Sequence, residues 1–218
     1  MKRAKKRTTH AWVSEYYTTI QGTGVHAGEL QFFVRFAGCS VLSCPIRGIC
    51  DQPESLERGH AAKVEIESLV KMGAAESKWI HLTGGEPLDQ PKAVFELLEW
   101  ADQAGTRVHI HTSGTRKLPC ECHFLSISPK CRAADLAQWS ADEVIIVYDP
   151  KTMSMEYLME YHEKCNADYF WLQPAWDDSG AENPRRYRDV FEMVQRLFKE
   201  GRQRWRVGSQ LHKHMGLK

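Results

Sequence analysis

Three cysteines follow one short apolar strand: Cys39, Cys44 and Cys50, in the stretch Phe36-Ala37-Gly38-Cys39-Ser40-Val41-Leu42-Ser43-Cys44-Pro45-Ile46-Arg47-Gly48-Ile49-Cys50-Asp51. The segment is rich in Ser, Pro and Gly, residues that favour a loop, so its thiolates can converge on one point. Three converging thiolates can hold three irons of a cubane iron–sulfur cluster and leave the fourth iron open to another ligand. Further along, Thr83-Gly84-Gly85-Glu86-Pro87 directly follows the apolar run Trp79-Ile80-His81-Leu82. Glycines without side chains let a backbone approach a ligand closely.

Other polar residues punctuate apolar runs. Ser113, Ser128 and Lys130 stand where strands end, and each alone reads equally well as a helix cap or a solvated turn. Arg35 lies inside an otherwise apolar strand, where an unpaired guanidinium is costly. It calls for a carboxylate partner: a ligand's, held by two parallel hydrogen bonds, or a core acid's in a structural ion pair. Four further cysteines, Cys120, Cys122, Cys131 and Cys165, are open to two readings. Cys120, Cys122 and Cys131 can bind a metal with His123, or all four are ordinary packed thiols.

These residues must be positioned by the elements between them. Short β-branched or aromatic runs predict strands at 31–37, 79–83, 107–112, 124–128, 143–148 and 169–173. Helical spacing places Val94, Leu97, Leu98 and Ala101 on one face, and Met155, Leu158, Met159 and His162 on another. The longest stripe is Tyr187, Val190, Phe191, Val194, Leu197 and Phe198. Pro91 and Pro184 suit first helical turns, and Gly105 and Gly201 suit helix ends. Alternating strands and helices imply a parallel sheet. Cys39, Thr83, Ser113, Ser128 and Gln173 all fall at or just after C-terminal strand ends, the edge where barrel-like α/β folds assemble their sites. Six strands fall short of eight, so a partial, incomplete TIM-like barrel of about six parallel strands is expected.

Composition excludes several alternatives. The 218 residues are 42% apolar, enough for one substantial core, and the formal net charge of +1 gives no global signal for nucleic acid. One domain over 1–218 is expected, with 1–10 a flexible basic tail around Lys2-Arg3-Ala4-Lys5-Lys6-Arg7, and 38–52 the cluster loop. No run is long and apolar enough for a bilayer, and no apolar signal region follows the basic start. An odd count of seven cysteines argues against a complete disulfide framework. A cytoplasmic protein is expected.

With these motifs in this order, the chain resembles the radical S-adenosylmethionine enzymes, and within them the 7-carboxy-7-deazaguanine synthases. The resemblance runs nearly end to end. Ile20-Gln21-Gly22-Thr23-Gly24 looks like the family's substrate loop, and Phe33-Val34-Arg35-Phe36-Ala37-Gly38-Cys39 like its first strand entering the cluster loop. Thr83 to Gln90 resembles its glycine-glycine-glutamate segment. Thr112-Ser113-Gly114-Thr115 and Ser128-Pro129-Lys130 resemble two later strand ends. Arg206-Val207-Gly208-Ser209-Gln210-Leu211-His212-Lys213 resembles its C-terminal signature.

The resemblance implies a carbon–nitrogen lyase: a radical ring contraction of 6-carboxy-5,6,7,8-tetrahydropterin to 7-carboxy-7-deazaguanine, with loss of ammonia, on the way to queuosine-type 7-deazapurines. It implies a 4Fe-4S cluster on Cys39, Cys44 and Cys50, and S-adenosyl-L-methionine held by Ile49, Asp51, Gly84, Gly85, Glu86, Ser113, Ser128, Pro129 and Lys130. The pterin would be held by Ile20, Gln21, Gly22, Arg35, Thr83, Gln173 and Pro174, with His212 and Lys213 closing the site. Mg2+, a reductase such as flavodoxin or ferredoxin, and a homodimer are implied as well, with no nucleic acid and no membrane.

The chain departs from the pattern at several points. Four residues separate Cys39 from Cys44 and five separate Cys44 from Cys50, against three and two in the usual superfamily loop. Gln52 stands where a magnesium-binding threonine is typical, Thr23 where a glutamate is usual, and His111 where another glutamate is usual. Two other readings differ in class: another small radical enzyme such as a glycyl-radical activase, or a binding or regulatory derivative without a cluster.

Overall fold

The computed structural model describes residues 9–218, so the basic run of the expected tail lies outside the described residues. Nine strands form one sheet: β1 (His10–Ile20), β2 (Leu30–Phe36), β3 (Ala62–Glu65), β4 (Trp79–Gly84), β5 (Arg107–Thr112), β6 (Phe124–Ile127), β7 (Glu143–Tyr148), β8 (Tyr169–Pro174) and β9 (Trp205–Val207). The helices are α1 (Ile66–Glu76), α2 (Pro91–Ala104), α3 (Met155–Lys164), α4 (Asn183–Lys199) and the short α5 (Leu211–His214). The sheet order is β3-β1-β2-β4-β5-β6-β7-β8-β9. Its ends, β3 and β9, are not neighbours, so the sheet is open, as a partial barrel requires.

The six expected strands are present close to their expected bounds, and β9 extends the parallel run from β2 to seven strands. β1 pairs antiparallel with β2, and β3 antiparallel with β1. The parallel-sheet expectation is therefore corrected at one edge. A tight return from β1 through 21–29 into β2 needs no crossover helix, so it makes an antiparallel pair.

Period-two alternation explains both faces. In β4 the order Ile80-His81-Leu82, in β5 Val108-His109-Ile110-His111, and in β6 Leu125-Ser126-Ile127 sends apolar and polar side chains to opposite sides. The apolar set packs with Leu69, Val94, Leu97, Leu158, Val190 and Leu197 of the helices to form the core. Each such buried side chain contributes about 1.5–3 kcal/mol relative to exposure. The opposite, inner face carries Gln31, His81, His109, Ser126 and Glu143, all buried.

Pro91 opens α2, and Gly105 ends it with a left-handed φ of 68°. Pro184 lies in the first turn of α4, and Gly201 follows its end. The α4 stripe is rotated from expectation. Val190, Met193 and Leu197 are buried, while Phe191 and Phe198 are 51% and 61% exposed. Spacing alone admitted either edge of that apolar face, and packing on β8 and β9 selected one.

Candidate functional site

The parallel strands deliver their C-terminal ends to one edge. The residues there are fastened mainly by one segment, 84–90. Gly84 has φ +123°, and a Cβ on it would lie 2.1 Å from the Phe36 carbonyl oxygen. A Cβ on Gly85 would lie 2.3 Å from the Gly38 oxygen and 2.5 Å from that of Ser55. Gly84 is thus required by close approach of the β2 backbone, and Gly85 by that of Gly38 and Ser55 at either end of the cysteine loop, a reason beyond the ligand approach expected from sequence. Gly85 N–H donates to Phe36 O (2.9 Å) and Glu86 N–H to Gly38 O (3.0 Å).

Glu86 is 1% exposed. Its carboxylate accepts from Leu88 N–H (3.0 Å), the Thr112 hydroxyl (2.6 Å), Ser113 N–H (2.9 Å) and the Ser113 hydroxyl. A carboxylate has about four lone-pair directions, and here all are used within the protein. Glu86 therefore locks the end of β4 to the end of β5 rather than presenting a free carboxylate. Asp89 accepts from Ser40 N–H and its hydroxyl, both at 2.7 Å, and pairs with Arg116. Gln90 accepts from Trp12 N–H (2.8 Å) and donates to Trp12 O (2.9 Å) and Ala37 O (3.2 Å). Sequence reasoning quoted this segment but missed the roles of Asp89 and Gln90; their distance in sequence from Ser40 and Ala37 gave no signal.

The three loop thiols are free and half-buried. Burial raises the Cys39 pKa, with Glu86 and Asp89 adding to it. Burial also raises that of Cys50, with Asp51 and Cys44 adding and Lys130 opposing. Burial lowers the Lys130 pKa, while Cys44, Asp51, Cys50 and Glu86 oppose the shift. Lys130 thus sits amid the cluster loop and the glycine-glycine-glutamate segment, and its Nζ donates to Ser128 Oγ (2.7 Å).

The donor type fits an iron–sulfur cluster: three thiols on one loop at one edge. Convergence, however, is incomplete. Among the described residues no three His, Cys, Asp or Glu side chains form a group able to hold a metal ion. Burial disfavours the thiolate form of Cys39 and Cys50, the form that ligates iron. The second cysteine set forms no such group either. Cys120, Cys122 and Cys131 pack against the core, and His123 pairs with Asp102 at 3.1 Å.

The other expected residues are placed as follows. Arg35 Nε lies 3.0 Å from Glu15 Oε1, and Nε and Nη2 donate to the Tyr17 hydroxyl at 3.2 and 2.8 Å. The ion-pair reading of Arg35 is thereby present in the fold. Thr83 is its register neighbour on β4. Ile20 ends β1, and Pro174 ends β8. Gln21 is 4% exposed; its Oε1 accepts from Gly22 N–H (2.9 Å), and its Nε2 has no partner. Gln173 Oε1, Gln52 Oε1, Gln210 Oε1 and His212 Nδ1 are likewise buried without a partner. Such orphaned amides are rare unless a ligand satisfies them. Pro129 is half-buried and Asp51 exposed, and the Ile49 side chain lies outside the described residues.

The C-terminal segment closes over this edge. Leu211 N–H donates to Gly22 O (2.8 Å), and Lys213 Nζ lies 3.5 Å from Asp51 Oδ2. A Cβ on Gly22 would fall 1.7 Å from His212 Nδ1. His111 stands near Lys130, Arg35 and Asp51; burial, then the two cations, lowers its pKa to about 4. It is therefore a neutral imidazole at neutral pH. No described helix is long and apolar enough to cross a membrane.

No family model matches the chain. Curated proteins do. A 7-carboxy-7-deazaguanine synthase of Haemophilus influenzae is 30% identical over 210 residues, covering 94% of this chain and 93% of that protein. One of Bacteroides thetaiotaomicron is 31% identical over 166 residues, covering 75% and 81%. One of Synechocystis is 28% identical over 211 residues, covering 94% and 93%. Among solved structures, QueE from Escherichia coli superposes with a TM-score of 0.72 at 20% identity, covering 93% of this chain and 95% of that one, a likeness of fold.

Proposed function

The chain belongs to the family of 7-carboxy-7-deazaguanine synthases, and on that premise we propose how its residues serve the family's reaction. That reaction is the radical ring contraction of 6-carboxy-5,6,7,8-tetrahydropterin to 7-carboxy-7-deazaguanine with loss of ammonia. Membership displaces the reading of the chain as a glycyl-radical activase, and iron content after anaerobic reconstitution separates the enzyme from a cluster-free derivative. The single nine-stranded sheet supports treating 1–218 as one catalytic unit.

Cys39, Cys44 and Cys50 would hold the cluster, which with S-adenosylmethionine would supply radical chemistry for removing a hydrogen that no ordinary side chain can abstract. The protein's own work is placement. Lys130, steadied by Ser128, offers its ammonium to the cofactor carboxylate as a point charge. Glu86 acts by holding Ser113 and the backbone of 84–86, so cofactor contacts from this segment fall to backbone groups of Gly84 and Gly85. Asp51 lies near Lys130 on the same side.

On the substrate side, the observation that carries the reading is the set of buried, unpartnered amide atoms. Gln21 Nε2 offers a donor, and Gln173 Oε1 an acceptor. A pterin edge presents both kinds of group, so it can satisfy what the fold leaves open. Arg35 is held by Glu15 and Tyr17 through Nε and Nη2, and none of these bonds uses Nη1. Glu15 and Tyr17 thereby pre-set the guanidinium that meets the substrate carboxylate. Gly22, Ile20, Thr83 and Pro174 supply walls. Gln52 Oε1 is a buried oxygen without a partner, which supports an oxygen ligand for Mg2+. A flavodoxin- or ferredoxin-type reductase would supply the electron, and a homodimer in the cytoplasm is the expected form. Anaerobic turnover of the carboxytetrahydropterin, with mass detection of the deazaguanine, tests the function. Intact substrate after incubation with loaded enzyme, S-adenosylmethionine and reductant would defeat it.

A further inference from the structure

One buried carboxylate is used by none of the roles above. Glu143 opens β7 and is 0% exposed. Its Oε1 accepts from the Ser126 hydroxyl (2.6 Å) on β6, and its Oε2 from Trp171 Nε1–H (2.7 Å) on β8. The third donor comes from far away in sequence: Val25 N–H reaches Oε2 at 2.8 Å. Val25 lies on the segment 21–29 that carries Gln21 and Gly22. That segment is closed at its base by Gln21 N–H to Glu29 O and Gly28 N–H to Gln21 O, both 2.8 Å. Its tip meets the inner face through the Glu143–Val25 bond and through the His26 ring, packed 4.3 Å from Phe124, 4.6 Å from Trp79 and 5.5 Å from His109. His26 Nδ1 also lies 3.0 Å from Glu29 Oε2.

The fit is close. Gly24 has φ +72°, and a Cβ there would lie 2.2 Å from Glu143 Oε1. Only a residue without a side chain lets the loop settle on the carboxylate. Behind Glu143, Ser126 Oγ lies 2.6 Å from His109 Nε2. Because Ser126 donates to Glu143, it accepts from His109, which places the His109 proton on Nε2. His109 Nδ1 is buried without a partner. A carboxylate buried here against its solvation cost is retained with three donors, one of them a loop N–H.

We propose that Glu143 is the positioning residue of the substrate loop, pinning Val25 from inside the barrel so that Gln21 and Gly22 face the pterin in one fixed arrangement. The proposal rests on the functional reading above. It assigns Glu143 no contact with substrate or cofactor. The bland alternative is a core acid that only joins β6, β7 and β8. The two separate because the sheet bonds, to Ser126 and Trp171, and the loop bond, to Val25, can be cut independently.

Three variants do this. Glu143→Gln keeps every heavy-atom contact: its carbonyl accepts from Val25 and Trp171, and its amide donates to Ser126, which then donates to His109 Nε2. Glu143→Leu removes all three bonds. Gly24→Ala forces the loop off the carboxylate and leaves the sheet bonds in place. The first readout is amide hydrogen exchange of the peptide spanning 21–29, which needs no turnover. The second is binding of carboxytetrahydropterin to the anaerobically loaded enzyme without reductant.

Exchange should accelerate in Glu143→Leu and Gly24→Ala and stay near wild type in Glu143→Gln. Pterin affinity should fall roughly tenfold to a hundredfold in the first two, the loss expected when a charge-assisted bond that orders a site is cut. S-adenosylmethionine binding and iron content should not change in Gly24→Ala. Unchanged exchange in a folded Gly24→Ala would overturn the pin. Faster exchange with unchanged pterin affinity would overturn the positioning role. If the wild type itself binds no pterin, the functional reading falls and the substrate half of the proposal with it, while exchange still decides whether Glu143 pins the loop.

Discussion

Two buried glutamates organise the two halves of this site, and they do so from opposite ends of the strands. Glu86 stands beyond the C-terminal end of β4 and ties together neighbouring strand ends, through Thr112, Ser113 and Leu88. Glu143 stands at the start of β7 and reaches across the inner face to Val25, 118 residues earlier in the chain. Glu86 is saturated by short-range partners on the cofactor side. Glu143 joins the sheet to a single loop on the substrate side. The difference is one of reach: Glu86 ties together the ends of adjacent strands 26 and 27 residues apart, whereas Glu143 ties the sheet to a loop 118 residues earlier. The halves should therefore fail separately.

The largest separation expected is at the cysteines. Cys39→Ala, Cys44→Ala and Cys50→Ala should each abolish a cluster of about four irons, while leaving exchange of 21–29 untouched. Replacing Cys120, Cys122, Cys131 or Cys165 should preserve the signal. Normal iron content in any one of the first three variants removes that residue from the ligand set.

Next is Glu86→Ala. It strands several buried donors, each costing about 1–3 kcal/mol. A loss of about 3 kcal/mol or more lowers the melting temperature by roughly 6–12 °C for a chain of this size. Affinity for S-adenosylmethionine should collapse with it. A variant with wild-type melting and cofactor affinity would break the account of Glu86 as the knot.

Arg35→Ala tests the substrate half at moderate size. Pterin affinity should fall by about one to two powers of ten, with iron and S-adenosylmethionine binding spared. Lys should rescue in part, because it lacks the planar fork. Joint loss of stability and both affinities would assign Arg35 to its pair with Glu15 alone. Gln52→Ala should lower magnesium stimulation only a few-fold, about threefold, since its longer side chain carries the oxygen outward from the near-octahedral geometry magnesium prefers. Full dependence on Mg2+ that vanishes in this variant would show Gln52 to be a principal ligand.

The smallest effect is with pH. Burial, first among the causes, holds the pKa of His81 and His109 well below the ordinary 6.5, and that of His111 at about 4. The unfolded chain then binds more protons than the folded one below pH 6.5. The stability tied to these neutral rings is present above that pH and is lost as pH falls through their lowered folded-state values, about 4 for His111. Glu143 has the opposite sign: burial raises its pKa, so its contribution is full at low pH and declines as pH rises. Melting temperature measured at pH 4.5 and 7 should differ less in His81→Gln than in wild type. Equal differences would remove His81 from the acid-sensitive set.

The elements around the cysteine loop and the 84–90 segment were legible because their signals are local. Cysteines on one loop, glycines after an apolar strand and polar residues at strand ends can all be read within short windows. Trp79-Ile80-His81-Leu82 read as one apolar run, and only the structure shows that His81 faces the opposite side from Ile80 and Leu82. What escaped depends on pairing between distant segments. β1 was not among the expected strands, and nothing in its sequence, His10–Ile20, says that it runs antiparallel to β2. The chain gives no mark that Glu143 faces Val25, or that Gln90 clasps Trp12 and Ala37. α4 presented two candidate apolar edges, and only packing chose Val190, Met193 and Leu197 over Phe191 and Phe198.

The cysteine loop has a neck. Gly38 N–H donates to Ser55 O (2.9 Å), Cys39 N–H to Leu56 O (3.1 Å), and Ser14 Oγ meets Ser55 Oγ at 2.8 Å. Whatever the chain does between these points, its two ends are already held together. For a loop so closed, entropy grows only with the logarithm of length, and doubling the length costs about 0.6 kcal/mol. The unusual cysteine intervals are therefore a thermodynamically small change, and the segment should behave as an exchangeable cassette. Loops of other lengths and ligand spacings, grafted between Cys39 and Ser55, should fold on the same scaffold. A single side chain added at Gly85, where the neck meets the strand beside it, should not be tolerated.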